Sequence, residues 1–136
     1  MAEKLPVYII DDDEMQLSLV DRVMRKFHNM PVSAVNNGKD GLALLHRLAD
    51  ESEAAIILLD LNMPQVTGFD ILKQVAADTK FENLYMVVLS TSDEPSDVAF
   101  VRNLGFTDYL VKPTRHEQLN AKLEEINQRY QAKLNQ

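Results

Sequence analysis

The sequence predicts an α/β fold built on a parallel sheet with helices on both faces. Two patterns carry that expectation. Short, nearly continuous apolar runs alternate with longer segments of helical period, and the runs lack the polar alternation of a half-solvated strand. The order reads as strand then helix five times over, which calls for right-handed crossovers between parallel strands.

The first strand is predicted at Val7–Ile10 and its helix at Met15–His28, with Leu19, Val23 and Phe27 on one face and Asp13 as the N-cap. A weaker run, Val32–Val35, is the second strand, followed by a helix at Gly38–Ala49 striped by Leu42, Leu45 and Leu48. Ile56–Leu59 precedes a helix at Gly68–Ala77 with Phe69, Leu72 and Ala76 on its inner face. Met86–Leu89 precedes a helix that Pro95 opens and Gly105 closes, carrying Val98, Val101 and Leu104. Tyr109–Val111 is the last strand. Thr114 and Glu117 have capping-box spacing ahead of a helix striped by Leu119, Leu123, Ile126 and Tyr130.

A length of 136 residues, 46% hydrophobic and 26% charged, suits one domain with one ordinary core, expected over about residues 7–130. The absence of cysteine excludes disulfides, thiolate metal sites and thiol catalysis. "MAEKLPVYII" lacks the apolar segment of a signal peptide, and a cytoplasmic location is expected. A net charge of −7 disfavours nonspecific binding to nucleic acid or an anionic membrane. The loosest segments are expected at the first and last few residues and in "ADESEAA".

In a sheet of this kind the carboxyl ends of the strands share one edge, where ligands bind. The strands deliver to that edge Asp11, Asp12 and Asp13; Asp60; Ser90 and Thr91; and Lys112 with Pro113. Singly, each has an ordinary explanation, since acids cap helices, hydroxyls satisfy turns and lysines are solvated. Convergence changes the weighing. Two carboxylates ~4 Å apart repel by about 4 kcal/mol at an effective dielectric of ~20, so Asp11, Asp12 and Asp60 need a cation or protons. Oxygen ligands without nearby His or Cys suit Mg²⁺, with Mn²⁺ an alternative, completed by a phosphate. Lys112 and the Ser90 hydroxyl would then serve phosphate oxygens. Asp12 and Asp13 could form the acid pair instead, but Asp11 and Asp12 follow the apolar run directly.

The strings "IIDDDE", "ILLDLNMPQVTGFDIL", "VVLSTSD" and "DYLVKP" resemble the receiver domain of two-component response regulators, over nearly the whole chain. Asp60, Ser90 thirty residues on and Lys112 a further twenty-two on have the spacing of receivers. The resemblance implies a flavodoxin-like five-stranded sheet of order 2-1-3-4-5. It implies that Asp60 accepts a phosphoryl group from the phosphohistidine of a histidine kinase or phosphotransfer protein. Asp12 would bind metal directly, Asp11 largely through metal-bound water, and the Asn62 carbonyl would join Asp60 as a ligand. Lys112 would pair with the phosphoryl group, before a cis bond to Pro113. Ser90 and Tyr109 would form the switch, although Tyr109 can also be read as a half-buried strand tyrosine with its hydroxyl in water.

The face of the fourth helix, fifth strand and fifth helix would bind an output partner. Pro64 and Gly68 would shape the loop after Asp60, and Asn62 and Ser92 stand where receivers vary and tune dephosphorylation. Ser90 stands where Thr is commoner, and "LADESEAA" is longer than in compact receivers. The resemblance implies a signalling protein rather than an enzyme, monomeric or dimerising on phosphorylation, with no effector domain following. His28, His46 and His116 are assigned no chemistry. A phosphatase using an aspartyl-phosphate is disfavoured because "DLNMP" lacks a second acid two residues beyond Asp60. A receiver-like module that works without phosphorylation is the remaining alternative.

Overall fold

The computed structural model describes residues 4–135. Five parallel strands, β1 (Val7–Ile10), β2 (Ser33–Val35), β3 (Ala55–Asp60), β4 (Leu84–Ser90) and β5 (Tyr109–Val111), lie in the order β2-β1-β3-β4-β5. Helices α1 (Glu14–His28), α2 (Gly38–Asp50), α3 (Gly68–Ala77), α4 (Pro95–Asn103) and α5 (His116–Leu134) connect and follow them. A 3₁₀ turn at Thr79–Phe81, unforeseen in the sequence, sets Phe81 into the core.

All six residues of β3 are buried, as a central strand covered on both faces must be. Its side chains divide with the period of two. Ile57 and Leu59 join Leu45, Leu48, Ile71, Leu72, Val75 and Val101 on the face covered by α2, α3 and α4. Ile56 and Leu58 join Val20, Val23, Met24, Leu119, Leu123 and Ile126 beneath α1 and α5. Each such aliphatic side chain contributes about 1.5–3 kcal/mol on full burial, so these two layers fix the register that brings the strand ends level.

The expected faces of α1 and α3 are rotated, whereas those of α2 and α4 turn to the core. In α1 the buried residues include Val20, Val23 and Met24, whereas Leu19 and Phe27 are only half-buried at the flank. In α3 Ile71, Leu72 and Val75 are buried, Phe69 is half-buried and Ala76 is exposed. In α2 Leu45 and Leu48 are buried and Leu42 is half-buried, and α4 buries Val101 between half-buried Val98 and Leu104. A wide apolar stripe allows either choice, and contact with the sheet selects the centre.

Helix ends follow local chemistry. Asp13 caps α1 by accepting from Met15 N–H at 3.0 Å, and Asn29 ends it in the left-handed region. Gly105, at φ +99°, follows α4, where a side chain would be strained. The expected capping box of α5 does not form. The helix starts at His116 with Arg115 as N-cap, which moves Glu117 out of reach of the box, and the buried Thr114 hydroxyl donates to the Val111 carbonyl at 3.4 Å.

Strand β2 starts one residue late and is exposed at Ser33 and Ala34, as suits an edge. The "ADESEAA" stretch is closed by hydrogen bonds: Glu53 N–H donates to Leu48 O at 2.9 Å and Ser52 N–H to Ala49 O at 3.0 Å, before Ala55 enters β3. The expected looseness at residues 1–3 and 136 lies outside the described residues.

Candidate functional site

Strands β1 and β3 run beside each other, which brings Asp11, the residue after β1, and Asp60, the last residue of β3, to the carboxyl edge of the sheet. Asp11, Asp12 and Asp60 each place a carboxylate oxygen within 4.8 Å of the others. Asp11 and Asp60 are buried and Asp12 is exposed. Asp13 does not join the group; its carboxylate caps α1 instead.

Among the described residues, one cation forms ion pairs with this excess of acid. Lys112 Nζ lies 2.7 Å from Asp11 Oδ2 and 3.7 Å from Asp60 Oδ1, with the lysine side chain only 7% exposed. The Lys112–Pro113 bond is cis. Backbone donors add to this: Asp13 N–H reaches Asp11 Oδ1 at 2.9 Å, and Asn62 N–H reaches Asp60 Oδ1, the same oxygen that faces Lys112, at 3.2 Å. Burial, then the neighbouring charge of Asp11, pushes the Asp60 carboxyl up to about 6, against the opposing pull of Lys112 and the Asn62 amide. An all-oxygen set with too few positive charges suits a hard divalent cation.

The loop after Asp60 is shaped by close packing. A Cβ on Gly68 would lie 2.2 Å from the Asp60 carbonyl oxygen, so only glycine admits this approach. Gly68 N–H donates to Leu61 O at 3.0 Å, and Thr67 and Asp70 form a reciprocal capping box. Pro64 and Asn62 are exposed in this loop, and Gln65 adopts φ 68°.

Ser90 ends β4, fully buried, and its hydroxyl accepts from Ser92 N–H at 3.1 Å. Tyr109 is half-buried, but its hydroxyl is not left to water: it donates to the Ser92 carbonyl at 2.7 Å. Burial is the main reason the phenol is held above its ordinary pKa. The three histidines lie away from the cluster. His28 pairs with Asn120 at 2.8 Å between α1 and α5, His46 meets the edge of Phe81, and His116 opens α5. The burial of Gln16 and the hydrogen bonding of Ser92 escaped sequence reasoning, which singled out Ser92 only as a variable position. Gln16, buried on the first turn of α1, has no partner for its Nε2, and Ser92 gathers the hydrogen bonds of the β4–α4 loop.

A surface cavity of about 560 Å³ near Pro6, Asn83 and Tyr130 lies at the other end of the strands and includes none of these residues. No helix among the described residues is long and apolar enough to cross a membrane.

Residues 7–124 match the family described as response regulator receiver domain. The chain is 30% identical over 109 residues to the two-component response regulator ORR11 of Oryza sativa subsp. indica, covering 80% of this chain and 71% of that protein. The chemotaxis protein CheY4 of Vibrio cholerae superposes with a TM-score of 0.75 at 25% identity, over 90% of this chain and 98% of that one. The phosphorylated cyanobacterial phytochrome response regulator RcpA superposes equally well, with a TM-score of 0.75 at 25% identity over 91% of each chain.

Proposed function

Because the chain belongs to the response regulator receiver domain family, we propose that Asp60 is its phosphoacceptor, taking a phosphoryl group from a phosphohistidine of a histidine kinase or phosphotransfer protein. The observation that carries this reading is the pairing of a buried, charge-crowded Asp60 with Lys112 at the carboxyl edge. With its pKa near 6, Asp60 is mostly ionised at neutral pH, as a nucleophile must be. Its oxygen bonds to phosphorus as the phosphorus–nitrogen bond of the donor breaks; the electron pair stays on the imidazole nitrogen, which takes up a proton. Lys112, already poised between Asp11 and Asp60, neutralises the oxygens of the transferred group.

Asp11, Asp12, Asp60 and the Asn62 carbonyl would hold Mg²⁺, or Mn²⁺ in its place. When bound, the ion supplies positive charge to the phosphoryl oxygens. The phosphorylated form of the RcpA relative is consistent with an acceptor role on this fold. Ser90 and Tyr109 form the switch, and the α4, β5 and α5 face meets an output protein in the cytoplasm.

Intact mass after incubation with acetyl phosphate and Mg²⁺ tests the assignment. One labile phosphoryl adduct is expected, absent without the ion and absent in Asp60→Asn. An adduct that persists in Asp60→Asn would move the acceptor elsewhere. A folded chain that binds Mg²⁺ and takes no adduct from acetyl phosphate or from a phosphorylated kinase would favour a module that works without phosphorylation.

A further inference from the structure

The β4–α4 loop contains one residue whose every hydrogen-bonding group is engaged, each with a different role. Ser92 N–H donates to Ser90 Oγ at 3.1 Å. Its carbonyl accepts from the Tyr109 hydroxyl at 2.7 Å. Its own hydroxyl donates to Asp97 Oδ2 at 2.6 Å and accepts from Glu94 N–H at 3.2 Å. One serine thus joins the end of β4, the start of β5 and the first turn of α4.

Helix α4 is the element that such a link can move. Val101 is its only buried residue, whereas α1, α2, α3 and α5 each bury three or more. Glu94, its N-cap, makes no capping bond with its side chain, and Pro95 has no N–H to offer. The start of α4 is therefore fastened by the Ser92 hydroxyl. A weakly packed helix belongs to the part of a fold that opens most readily, where one hydrogen bond to a charged acceptor changes a local equilibrium by about tenfold or more.

We propose that Ser92 is a positioning residue that couples occupancy of the acceptor carboxylate to α4, its N–H released when the Ser90 hydroxyl moves and its side-chain hydroxyl holding Asp97 and Glu94. The proposal rests on the receiver reading and adds to it the residue that carries the signal. Drawing the Ser90 hydroxyl toward a phosphoryl group removes the acceptor of Ser92 N–H. The loop then re-forms around the remaining bonds. Because the Ser92 hydroxyl is tied to Asp97 and to Glu94 N–H, the displacement reaches the first turn of α4. The switch pair alone would move β4 and β5; Ser92 extends the motion to the helix.

Amide hydrogen exchange across residues 91–104, with and without saturating beryllofluoride and Mg²⁺, tests this in the unmodified chain, Ser92→Ala, Ser92→Thr and Asp97→Ala. Fluorine resonances of the bound complex report occupancy independently of α4, so changes in phosphoryl lifetime do not enter. The expected result is a change of about tenfold in the first turn of α4 in the unmodified chain. It should fall below about twofold in Ser92→Ala and Asp97→Ala at equal occupancy, and Ser92→Thr should restore it. An undiminished response in Ser92→Ala, a loss in Ser92→Thr as complete as in Ser92→Ala, or no response of α4 in the fully occupied unmodified chain would overturn the coupling. If the unmodified chain binds no beryllofluoride and gains no phosphoryl adduct, the receiver reading itself fails, and the coupling with it.

Discussion

The two ends of β5 hold buried acids in opposite electrostatic conditions. Asp108, immediately before the strand, meets Lys122 at 3.2 Å and Arg129 at 2.9 Å, two cations of α5 around one carboxylate. Burial alone would lower Lys122, but its hydrogen bonds to Asp108 and Glu125 outweigh that and hold it above its ordinary pKa. Beyond the other end of the strand, Lys112 serves both Asp11 and Asp60, with Asp12 alongside. The matched cluster fastens α5 to the sheet and leaves no charge to be satisfied. The unmatched cluster sets three carboxylates against one ammonium, an imbalance that a proton or a divalent cation would relieve.

The largest effect should come from removing the cation of the unmatched end. Lys112→Met leaves Asp11 and Asp60 buried without their ammonium, and metal-free stability should fall by about 3 kcal/mol in denaturant unfolding. Supplying charge should do the reverse. Mg²⁺ at a hundredfold excess over its dissociation constant should stabilise the unmodified chain by ~2.7 kcal/mol, with a smaller gain in Asp11→Asn. A melting temperature indifferent to Mg²⁺ would erase the distinction between the two ends.

At the matched end, Asp108→Asn should destabilise the protein by about 2 kcal/mol with or without Mg²⁺, less than for a fully buried pair because the Arg129 side chain is 43% exposed. The smallest effect has the opposite sign. Asp60 has a folded-state pKa of about 6 against 3.8 for the free group, so between these values the folded chain holds the proton more firmly than the unfolded one. The stability contributed by the protonated group is full below 3.8 and is lost as pH rises through about 6. Asp60→Asn should remove that component of the pH dependence and stabilise the metal-free protein at pH 7 by about 1–2 kcal/mol. Comparing the two chains by urea unfolding from pH 4 to 7 isolates it from the other carboxylates.

Much of this contrast was legible in the sequence at one end and little of it at the other. The acids at 11, 12 and 60, Ser90 and Lys112 each follow directly on an apolar run, so a parallel topology alone carries them to one edge. Strand β1 and helix α3 fall where their periodicity puts them. Asp108, Lys122 and Arg129 carry no such mark, because an acid and two bases spaced 14 and 21 residues apart meet only through the packing of α5 on β5. The hydroxyl of Tyr109 escaped for the same reason: its acceptor is a carbonyl 17 residues away. Leu19, Phe27 and Ala76 misled because periodicity defines a stripe, while the sheet decides which line of that stripe is central.

The most direct measurement is the titration of the Asp60 carboxyl by ¹³C resonance in metal-free protein, repeated with saturating Mg²⁺. Unmatched charge predicts a midpoint of about 6 that falls well below its metal-free position once the ion is bound. A midpoint at the ordinary 3.8, unmoved by Mg²⁺, would show that Lys112 already satisfies the cluster and would contradict the assignment of this edge as the site.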